Sequence, residues 1–378
     1  KIMKITLKRT PEQIELVKAM ASRDKTVAWD AQVALAEFIG PVLSKVVNQA
    51  PTLSNMFSTL QFDADDNPSI PLDLYYDVTD EDYIRVYSTH VAGGLPQNQV
   101  LPTVSEMKIM TYTLDSALSF DTKYAAKSRL DVVGKTFTRM AQEILLKQER
   151  TSANLILSSL ANGSTNSKDH VVTANTGGRF LLEDLNKLFN LAKRINTSWA
   201  AGTADPRQGR GLTDLIVSPE VVAELRRMAY NPINTQGSPA GGTTSAIVAT
   251  DEMRNEIYKN AGIPEFYGVN IMEFAEFGAG QKFNTIFGTV AAAGSTTAQT
   301  FTDGSTQEIL VGIDRTRDSL VRAVAVDSER GSDFTLEADD QYVRRQKKIG
   351  YWGEMEEGRM VLDDRALLGV IASGLPTV

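Results

Sequence analysis

Two glycine-containing segments carry residue types that bind phosphate groups in nucleotide-binding proteins. Gly134-Lys135-Thr136 ends like a phosphate-binding loop, but that motif needs a glycine five positions earlier, where Arg129 stands. It also needs a flexible loop after a strand, whereas this segment lies inside a long helical pattern. Gly278-Ala279-Gly280 lacks the third glycine and the preceding strand-to-helix context of a dinucleotide site. We therefore predict a helix position for the first segment, a loop for the second and no cofactor.

Carboxylates concentrate in two clusters, and carboxylate oxygens are the ligands that hard cations prefer. The clusters are formed by Asp63, Asp65 and Asp66, and by Asp77, Asp80, Glu81 and Asp82. Neither has the ligand spacing of a calcium-binding hand. The pattern favours a solvated acidic strip or a charge pair between subunits over a metal site.

Catalytic and soft-metal chemistry has few residues to draw on in this chain. There is no cysteine, and the two histidines are His90 and His170. The absence of cysteine excludes disulfides, thiolate metal sites and a cysteine nucleophile. Neither histidine has a carboxylate or histidine partner at helical spacing, so each is predicted to be a surface or turn residue. We predict no catalytic residue, no metal ligand and no enzymatic activity.

The densest basic run of the chain is Arg344 to Lys348, RRQKK. A solvated strand end is its plainest interpretation, and nucleic-acid contact is not favoured because no aromatic residue that would stack on bases is interleaved. An acidic patch at Asp80 to Asp82 is complementary to it, which favours pairing between copies of the chain. The residues predicted for this intersubunit contact are Asp80, Glu81, Asp82, Arg85, Arg344, Arg345, Lys347 and Lys348.

The composition is that of a globular protein. Hydrophobic residues make up 42% and charged residues 23% of the 378 positions, which excludes general disorder and allows one large or two to three ordinary domains. No run of eighteen apolar residues is present to cross a membrane. The formal net charge of -8 opposes general affinity for nucleic acid, because phosphate neutralisation needs a basic surface.

The element around which the chain is organised runs from Ser128 to Asn162. It contains no proline and one glycine, and Gly163 follows as a stop signal. Its apolar residues recur at helical spacing, at Leu130, Val133, Phe137, Met140 and Ile144. We predict a single spine helix of roughly 50 Å, at about 1.5 Å per residue.

Two helices are predicted at the start of the chain. Thr10 is the expected N-cap of the first, followed by proline at the first helical position, and this helix runs to about Ser22. The second helix runs from Val27 to Asn48 and is interrupted by Gly40-Pro41. Together they are interpreted as an arm.

An extended ribbon is predicted between the arm and the spine helix. Residues 69–114 alternate in polarity on both sides of a turn at Gly93 to Pro96, and the return strand is expected at about Val100 to Leu114. A two-stranded ribbon is marginal alone in water. It is therefore expected to lie on another chain.

The rest of the chain reads as a mixed region of strands and helices. Strands are predicted at His170 to Thr173, Leu212 to Val217, Val269 to Phe274, Glu308 to Ile313 and Ser319 to Val326, with further extended runs at Phe334 to Lys348, Ile349 to Trp352 and Arg359 to Ala372. Helices are predicted at Leu181 to Ile195, Val221 to Met228 with a cap at Ser218, and Asp251 to Asn260. Gly278 to Thr306, rich in small residues, is predicted to be a surface loop or hairpin.

This order of elements resembles the major capsid proteins of tailed bacteriophages with the Hong Kong 97-type fold. LTDLIVSPEVVAELRRMAYNP, from Leu212 to Pro232, looks like the strand-helix unit of that family's axial domain. GRMVLDDRALLGVIAS, from Gly358 to Ser373, looks like its last peripheral-domain strand. The resemblance implies an α+β fold with an N-terminal arm at 1–62, an extended loop (E-loop) at 63–114, a peripheral domain at 115–175 and 331–378, and an axial domain at 176–330.

The resemblance also implies a function, which is to self-assemble as hexamers and pentamers into an icosahedral shell around double-stranded DNA. The implied partners are further copies of the chain and cement or decoration, scaffold and portal proteins, with DNA touched only by weak non-specific contact and no membrane. The implied location is the virion, with assembly in the host cytoplasm. Three alternatives stay open: an encapsulin-like compartment shell, a nucleotide-binding or hydrolytic enzyme, and a DNA-binding module that the net charge disfavours.

Overall fold

The computed structural model describes residues 10–48, 53–63, 66–71, 106–165, 167–195, 211–228, 265–266, 268–326, 333–339 and 347–375. These residues form an α+β structure, which confirms the predicted class. Contacts divide them into two units. The first unit contains the described residues of Lys1–Pro71, Glu106–Ser152 and Leu320–Met360, and the second those of Ala153–Ser319 and Val361–Val378.

The first unit begins with α1 (Pro11–Ala19) and α2 (Lys25–Asn48). The side chain of Thr10 accepts a hydrogen bond from the Gln13 amide at 3.4 Å, which confirms the predicted cap. The predicted interruption of the second helix is wrong, because α2 continues through Pro41. Both helices contribute buried side chains to the core of this unit, among them Val17, Leu35, Ile39 and Leu43. Helices α1 and α2 thus belong to the core of the first unit, and the arm at 1–62 stays a prediction.

The predicted spine helix is confirmed as α4 (Leu130–Asn162), a helix of 33 residues that follows the short α3 (Thr122–Ala126). The five apolar residues named from its periodicity are all buried. Residues 130–152 of α4 fall in the first unit and residues 153–162 in the second. The absence of proline from these residues permits a helix of this length.

A five-stranded sheet completes the first unit. Its strands are β1 (Ser58–Asp63), β4 (Thr111–Asp121), β12 (Leu320–Val326), β13 (Thr335–Asp339) and β14 (Lys348–Val361). β1, β12, β14 and β13 are neighbours in that order, and β4 also pairs with β14. Along β14 the odd-numbered residues from Ile349 to Arg359 are all buried, because alternate side chains of a strand point to the same face. This face covers the core that α1, α2 and α4 line from the other side.

A two-stranded sheet stands where the ribbon was predicted to begin and end. β2 (Ser69–Pro71) pairs antiparallel with β3 (Glu106–Lys108), with Ser69 opposite Lys108. The antiparallel pairing of the two ends agrees with the predicted ribbon. Its middle, including the turn at Gly93 to Pro96, lies outside the described residues.

The second unit is built on a six-stranded sheet in the order β7-β15-β11-β8-β10-β9. The strands are β7 (Val171–Thr173), β8 (Asp214–Val217), β9 (Glu265–Phe266), β10 (Val269–Glu273), β11 (Gln307–Ile313) and β15 (Leu367–Ser373), and β5 (Ser164–Thr165) pairs with β6 (Lys168–Asp169) beside them. The helices are α5 (Leu182–Ile195), α6 (Pro219–Met228) and α7 (Lys282–Ala291). α5 and α6 bury their apolar faces with β8, β11 and β15 in one core.

The strands and helices predicted after the spine helix are confirmed where the structure describes them, with two exceptions. Of the extended run predicted at Phe334 to Lys348, β13 is described and residues 340–346 lie outside the described residues. Gly278 to Thr306 is not a plain loop, because α7 forms within it and buries Phe283, Phe287 and Ala291. Arg359 to Ala372 is not one strand, because β14 ends at Val361 and a turn with Asp363 as its cap precedes β15. The helix predicted at Asp251 to Asn260 lies outside the described residues.

The two units defined by contacts are bounded at different residues from the domains that the resemblance implied. β15, expected in the peripheral domain together with the whole spine helix, lies in the second unit's sheet between β7 and β11. β12, expected in the axial domain, belongs to the first unit's sheet instead. The peripheral and axial domains themselves stay a prediction.

Candidate functional site

The segment Gly134-Lys135-Thr136 lies in α4, as predicted. The Thr136 hydroxyl donates to the Val132 carbonyl oxygen at 2.8 Å, which is a bond within the helix. A phosphate loop needs backbone amides that are free to bind the nucleotide, and helical amides are not. This segment is therefore not a nucleotide site.

The loop at Gly278-Ala279-Gly280 joins β10 to α7, so the strand-to-helix context that we expected to be missing is present. Its amides are already bound: the Gly280 N–H donates to the Gly304 carbonyl oxygen at 2.7 Å and the Gln281 N–H to the Gly278 carbonyl oxygen at 3.1 Å. The Glu220 carboxylate also lies against Gly278. A phosphate at this loop would meet amides that are already hydrogen-bonded and the negative charge of Glu220. This loop is therefore not a phosphate site either.

His170 is fully buried, so the predicted surface position is wrong. It stands between β6 and β7, and its Nε2 lies 2.9 Å from the Thr165 hydroxyl oxygen. Burial, which disfavours the charged ring, holds its pKa below the ordinary value despite the nearby carboxylate of Asp364. The ring is a neutral core residue. His90 lies outside the described residues.

The acidic and basic segments are described only in part. Asp63 ends β1 and is exposed, and the Asp66 N–H donates to its carbonyl oxygen at 2.9 Å. Among the described residues, no group of three or more His, Cys, Asp or Glu could hold a metal ion. The residues Asp65, Asp77, Asp80, Glu81, Asp82, Arg85, Arg344 and Arg345 lie outside the described ranges.

Lys347 and Lys348 are the described members of the basic run. The Lys347 carbonyl oxygen accepts from the Thr122 N–H at 2.9 Å and from the Thr122 hydroxyl at 2.7 Å. Lys348 begins β14 opposite Asp121 and is exposed. The pairing with Asp80 to Asp82 of another copy stays a prediction.

A buried charged cluster in the first unit was not predicted from the sequence. It is centred on Glu357 of β14, and we call it the Glu357 cluster. Glu357 is 0% exposed, Arg322 of β12 5% and Arg359 of β14 9%. Charged side chains are almost never buried this deeply unless they are paired.

Every oxygen of the Glu357 carboxylate is hydrogen-bonded. Oε2 accepts from Arg322 Nε at 2.9 Å, from Arg359 Nη2 at 3.1 Å and from Gln148 Nε2 at 3.1 Å. Oε1 accepts from the Tyr112 hydroxyl at 2.8 Å and from Arg359 Nε at 3.3 Å. The cluster therefore joins β4, α4, β12 and β14.

The two arginines extend the cluster to the end of α2 and the turn after it. Arg322 Nη1 donates to the Asn48 side-chain oxygen at 3.0 Å. Arg359 Nη2 donates to the Ser54 hydroxyl oxygen at 2.7 Å, Nη1 donates to the Ser152 hydroxyl oxygen, and the guanidinium lies 5.4 Å from the centre of the Phe57 ring. Planar guanidinium groups suit such multiple contacts.

The neighbouring charges in the cluster determine whether Glu357 and Tyr112 are ionised. Burial by itself would raise the pKa of Glu357, but the charges of Arg359 and Arg322 and the hydrogen bonds from Arg359 and Tyr112 outweigh it, so the pKa lies below the ordinary value. Burial, together with the negative charge of Glu357, raises the pKa of Tyr112 to about 12. At neutral pH the cluster is thus an ionised carboxylate between two guanidinium groups. Its burial leaves no approach for a substrate, and its role is to hold the unit together.

The surface of the first unit carries large apolar side chains. On α2 they are Val27, Trp29, Phe38 and Val42, and elsewhere Leu60, Met110, Tyr124, Leu146 and Trp352. All the exposed large apolar side chains found among the described residues lie in this unit. A groove of about 510 Å³ between α2 and β13 adds to them, and its apolar lining includes Val33, Pro41, Phe334 and Leu336. Exposed apolar patches of this kind are typical of interaction surfaces.

No protein-family model and no curated protein matches the chain. Among solved structures, it is similar to the capsid of the cyanophage P-SCSP1u at 13% identity, covering 84% of this chain and 87% of that chain with a TM-score of 0.48. It is also similar to the holo-SrpI encapsulin complex from Synechococcus elongatus PCC 7942, at 12% identity, 86% and 89% coverage and a TM-score of 0.46.

A third similar structure is a virus-like particle from Pyrococcus furiosus, at 12% identity, 90% and 100% coverage and a TM-score of 0.43. Phage capsids and an encapsulin are thus among the structures that the chain matches. At these identities and TM-scores the matches assign no family and carry no part of the functional proposal below. No helix among the described residues is long and apolar enough to span a membrane.

Proposed function

We propose that this chain is the major capsid protein of a tailed bacteriophage, with the Hong Kong 97-type fold, and that its copies assemble as hexamers and pentamers into an icosahedral shell around double-stranded DNA. The observation that carries the proposal is the apolar surface of the first unit, where Phe38 is 54% and Met110 87% exposed. A lone subunit would leave this surface in water, and assembly buries it. The role is structural, not catalytic.

The order of elements supports the proposal. Helices α1 and α2, the β2–β3 pair, the long α4 and the second unit's mixed sheet follow one another in the order that the resemblance implied. Fold by itself does not assign function, so the proposal depends on the surface and its test.

The proposed partners follow from the shell. Further copies of the chain are the main partner, and cement or decoration, scaffold and portal proteins are proposed besides, with the virion as the location and the host cytoplasm as the place of assembly. The net charge of -8 suits only weak non-specific contact with DNA.

Phe38→Asp is expected to abolish closed particles while the subunit stays folded, because a charge at an exposed apolar contact is not tolerated once that contact is desolvated. Negative-stain microscopy and sedimentation of the purified protein measure the effect. Asn190→Asp, on the exposed side of α5 in the second unit, is the matched control that adds one negative charge elsewhere. Normal shells from Phe38→Asp would contradict a contact at this surface, and particles without DNA would favour an encapsulin-like compartment.

Charge reversal tests the proposed contact between the acidic ribbon segment and the basic run. Replacing Asp80, Glu81 and Asp82 by lysine should weaken assembly, and combining this with Arg344→Glu and Arg345→Glu should partly restore it. Each exposed pair is worth only about 0.2–1 kcal/mol, but the contact repeats over the whole shell. The yield of closed particles is the measurement. If the combined variant assembles no better than either single set, the pairing does not exist.

A further inference from the structure

A carboxyl group in the second unit is buried without a counter-charge. Glu308, near the start of β11, is 3% exposed, and neither of its carboxyl oxygens has a hydrogen-bond partner. Ser218, the N-cap of α6, is close enough to lower the pKa of Glu308, and its hydroxyl oxygen accepts from the Val221 N–H at 3.2 Å. The carboxyl group thus lies between the sheet and the first turn of a helix.

A second carboxyl group faces the same place. Glu220, in the first turn of α6, has a buried Oε2 without a hydrogen-bond partner. This oxygen lies over Gly278, where a Cβ would come within 3.1 Å of it and within 3.5 Å of Ser218 Cβ. Gly278 also has φ +124°, a conformation that side chains rarely adopt. The loop at Gly278 therefore lies against the Glu220 carboxylate and the Ser218 side chain.

Among the described residues, no positive charge acts on the Glu308 carboxyl group. From α6 the facing titratable group is Glu220, and from β15 the residue opposite is Ala372. From α7, Asn284 accepts from the Ile309 N–H at 3.2 Å and donates to the Gln307 carbonyl oxygen at 2.7 Å. The loop that lies against Glu220 contributes Gly278 and Gln281, which are both uncharged. An ionised carboxylate with these neighbours would be strongly unfavourable.

Either a proton or a bound cation could neutralise these carboxyl groups, and the small number of potential metal ligands around them favours the proton. Calcium takes about six to eight oxygen ligands and magnesium needs about six in a near-octahedral arrangement. The described residues contain no group of three or more potential metal-ligating side chains of the His, Cys, Asp and Glu types. Two carboxyl groups and one hydroxyl are too few to enclose a cation.

We propose that Glu308 is held as a neutral carboxylic acid, and that loss of its proton releases the first turn of α6 and the loop 274–281 from the sheet of the second unit. Burial raises the pKa of Glu308 to about 7, the Ser218 side chain opposes the shift and the charge of Glu220 adds to it. The stabilising effect of the neutral form is complete below the ordinary value of 4.5 and is lost as pH rises through about 7. The second unit thereby carries a proton-dependent contact near neutral pH.

Hydrogen exchange of the full chain tests this contact. In wild type, after correction for the intrinsic exchange rate, opening of the α6 amides should increase roughly 40-fold between pH 5 and pH 7 and then level off, as expected from a carboxyl group whose pKa is 4.5 in the open state and about 7 in the closed one. In Glu308→Gln, which is neutral at both pH values, the increase should be absent. Glu183→Gln, an exposed glutamate of α5, is the matched control and should behave like wild type.

Three results would overturn the proposal. The first is an equal pH response in wild type and Glu308→Gln. The second is restoration of α6 protection in wild type at pH 8.5 by millimolar calcium or magnesium chloride, which would identify a cation site. If Glu308→Gln does not fold, Glu220→Gln replaces it. Removing that charge lowers the pKa of Glu308, so the increase in α6 opening should level off at a lower pH and be smaller than in wild type; an unchanged increase is the third result. None of these measurements depends on whether shells form.

Discussion

Glu357→Gln is expected to lower the free energy of unfolding by about 3–5 kcal/mol, the usual cost of removing one partner from a buried ion pair. The amide cannot balance Arg322 and Arg359, and both guanidinium groups would stay buried beside a neutral group. Chemical denaturation followed by circular dichroism measures the loss. Glu356→Gln, one residue earlier and on the other face of β14, is the matched control and should change the free energy of unfolding by less than about 0.5 kcal/mol.

The Glu357 cluster also predicts how stability depends on acid. Because the pKa of Glu357 in the folded protein lies below its ordinary value, the stability it contributes is present above that ordinary value and is lost as pH falls through the folded one. Glu357→Gln should lack this part of the acid dependence. Equal stability of Glu357→Gln and Glu356→Gln would show that the buried pairing contributes nothing.

Phe137→Ala is expected to destabilise the protein by about 3–5 kcal/mol, through lost burial and the cavity left behind. Phe137 is 0% exposed on α4, and its ring meets Tyr351 of β14 edge-on at 5.3 Å between centroids. The substitution therefore removes the main aromatic contact between the helix and the sheet of the first unit. Thermal unfolding monitored by calorimetry or circular dichroism measures the effect.

Leu146→Ala on the same helix is the matched control for this prediction. Leu146 is 57% exposed, so the same kind of truncation should cost less than about 0.5 kcal/mol. A shell-forming contact at Leu146 would show instead as reduced particle yield with unchanged subunit stability. If Phe137→Ala is no worse than Leu146→Ala, the core of the first unit is not organised around α4.

Local signals explain what could be predicted about the fold. α4 was predictable because its apolar residues recur from Leu130 to Ile144 and no proline interrupts the segment, and α6 because Ser218 and Pro219 are typical of a helix start. α7 was missed because Gly288 and neighbouring small residues mask the spacing of Phe283 and Phe287. The order of strands was not predictable, since pairing between distant segments leaves no local mark.

The Glu357 cluster shows why the buried polar residues escaped prediction. Its members come from segments far apart in the chain, and each one alone looks like an ordinary surface residue. One signal was available: Glu357 and Arg359 share the two-residue period of Ile349, Tyr351 and Met355 and therefore belong to the buried face of β14. A charged pair on an apolar face predicts buried partners but does not identify them.

The parallel pairing of β1 with β12 sets the order of events during synthesis. The side-chain hydroxyl of Ser58 in β1 donates a hydrogen bond to the carbonyl oxygen of Leu320, which lies 262 residues further along the chain. At about 5–20 residues per second, a ribosome needs roughly 13–52 s to synthesise that interval. Throughout this time α1, α2 and β1 lack the strands that cover them, and their apolar sides are available to chaperones. The first unit can close only after Leu320–Met360 has emerged, so a nascent chain cannot present the finished surface of α2, and only completed subunits could enter the proposed shell.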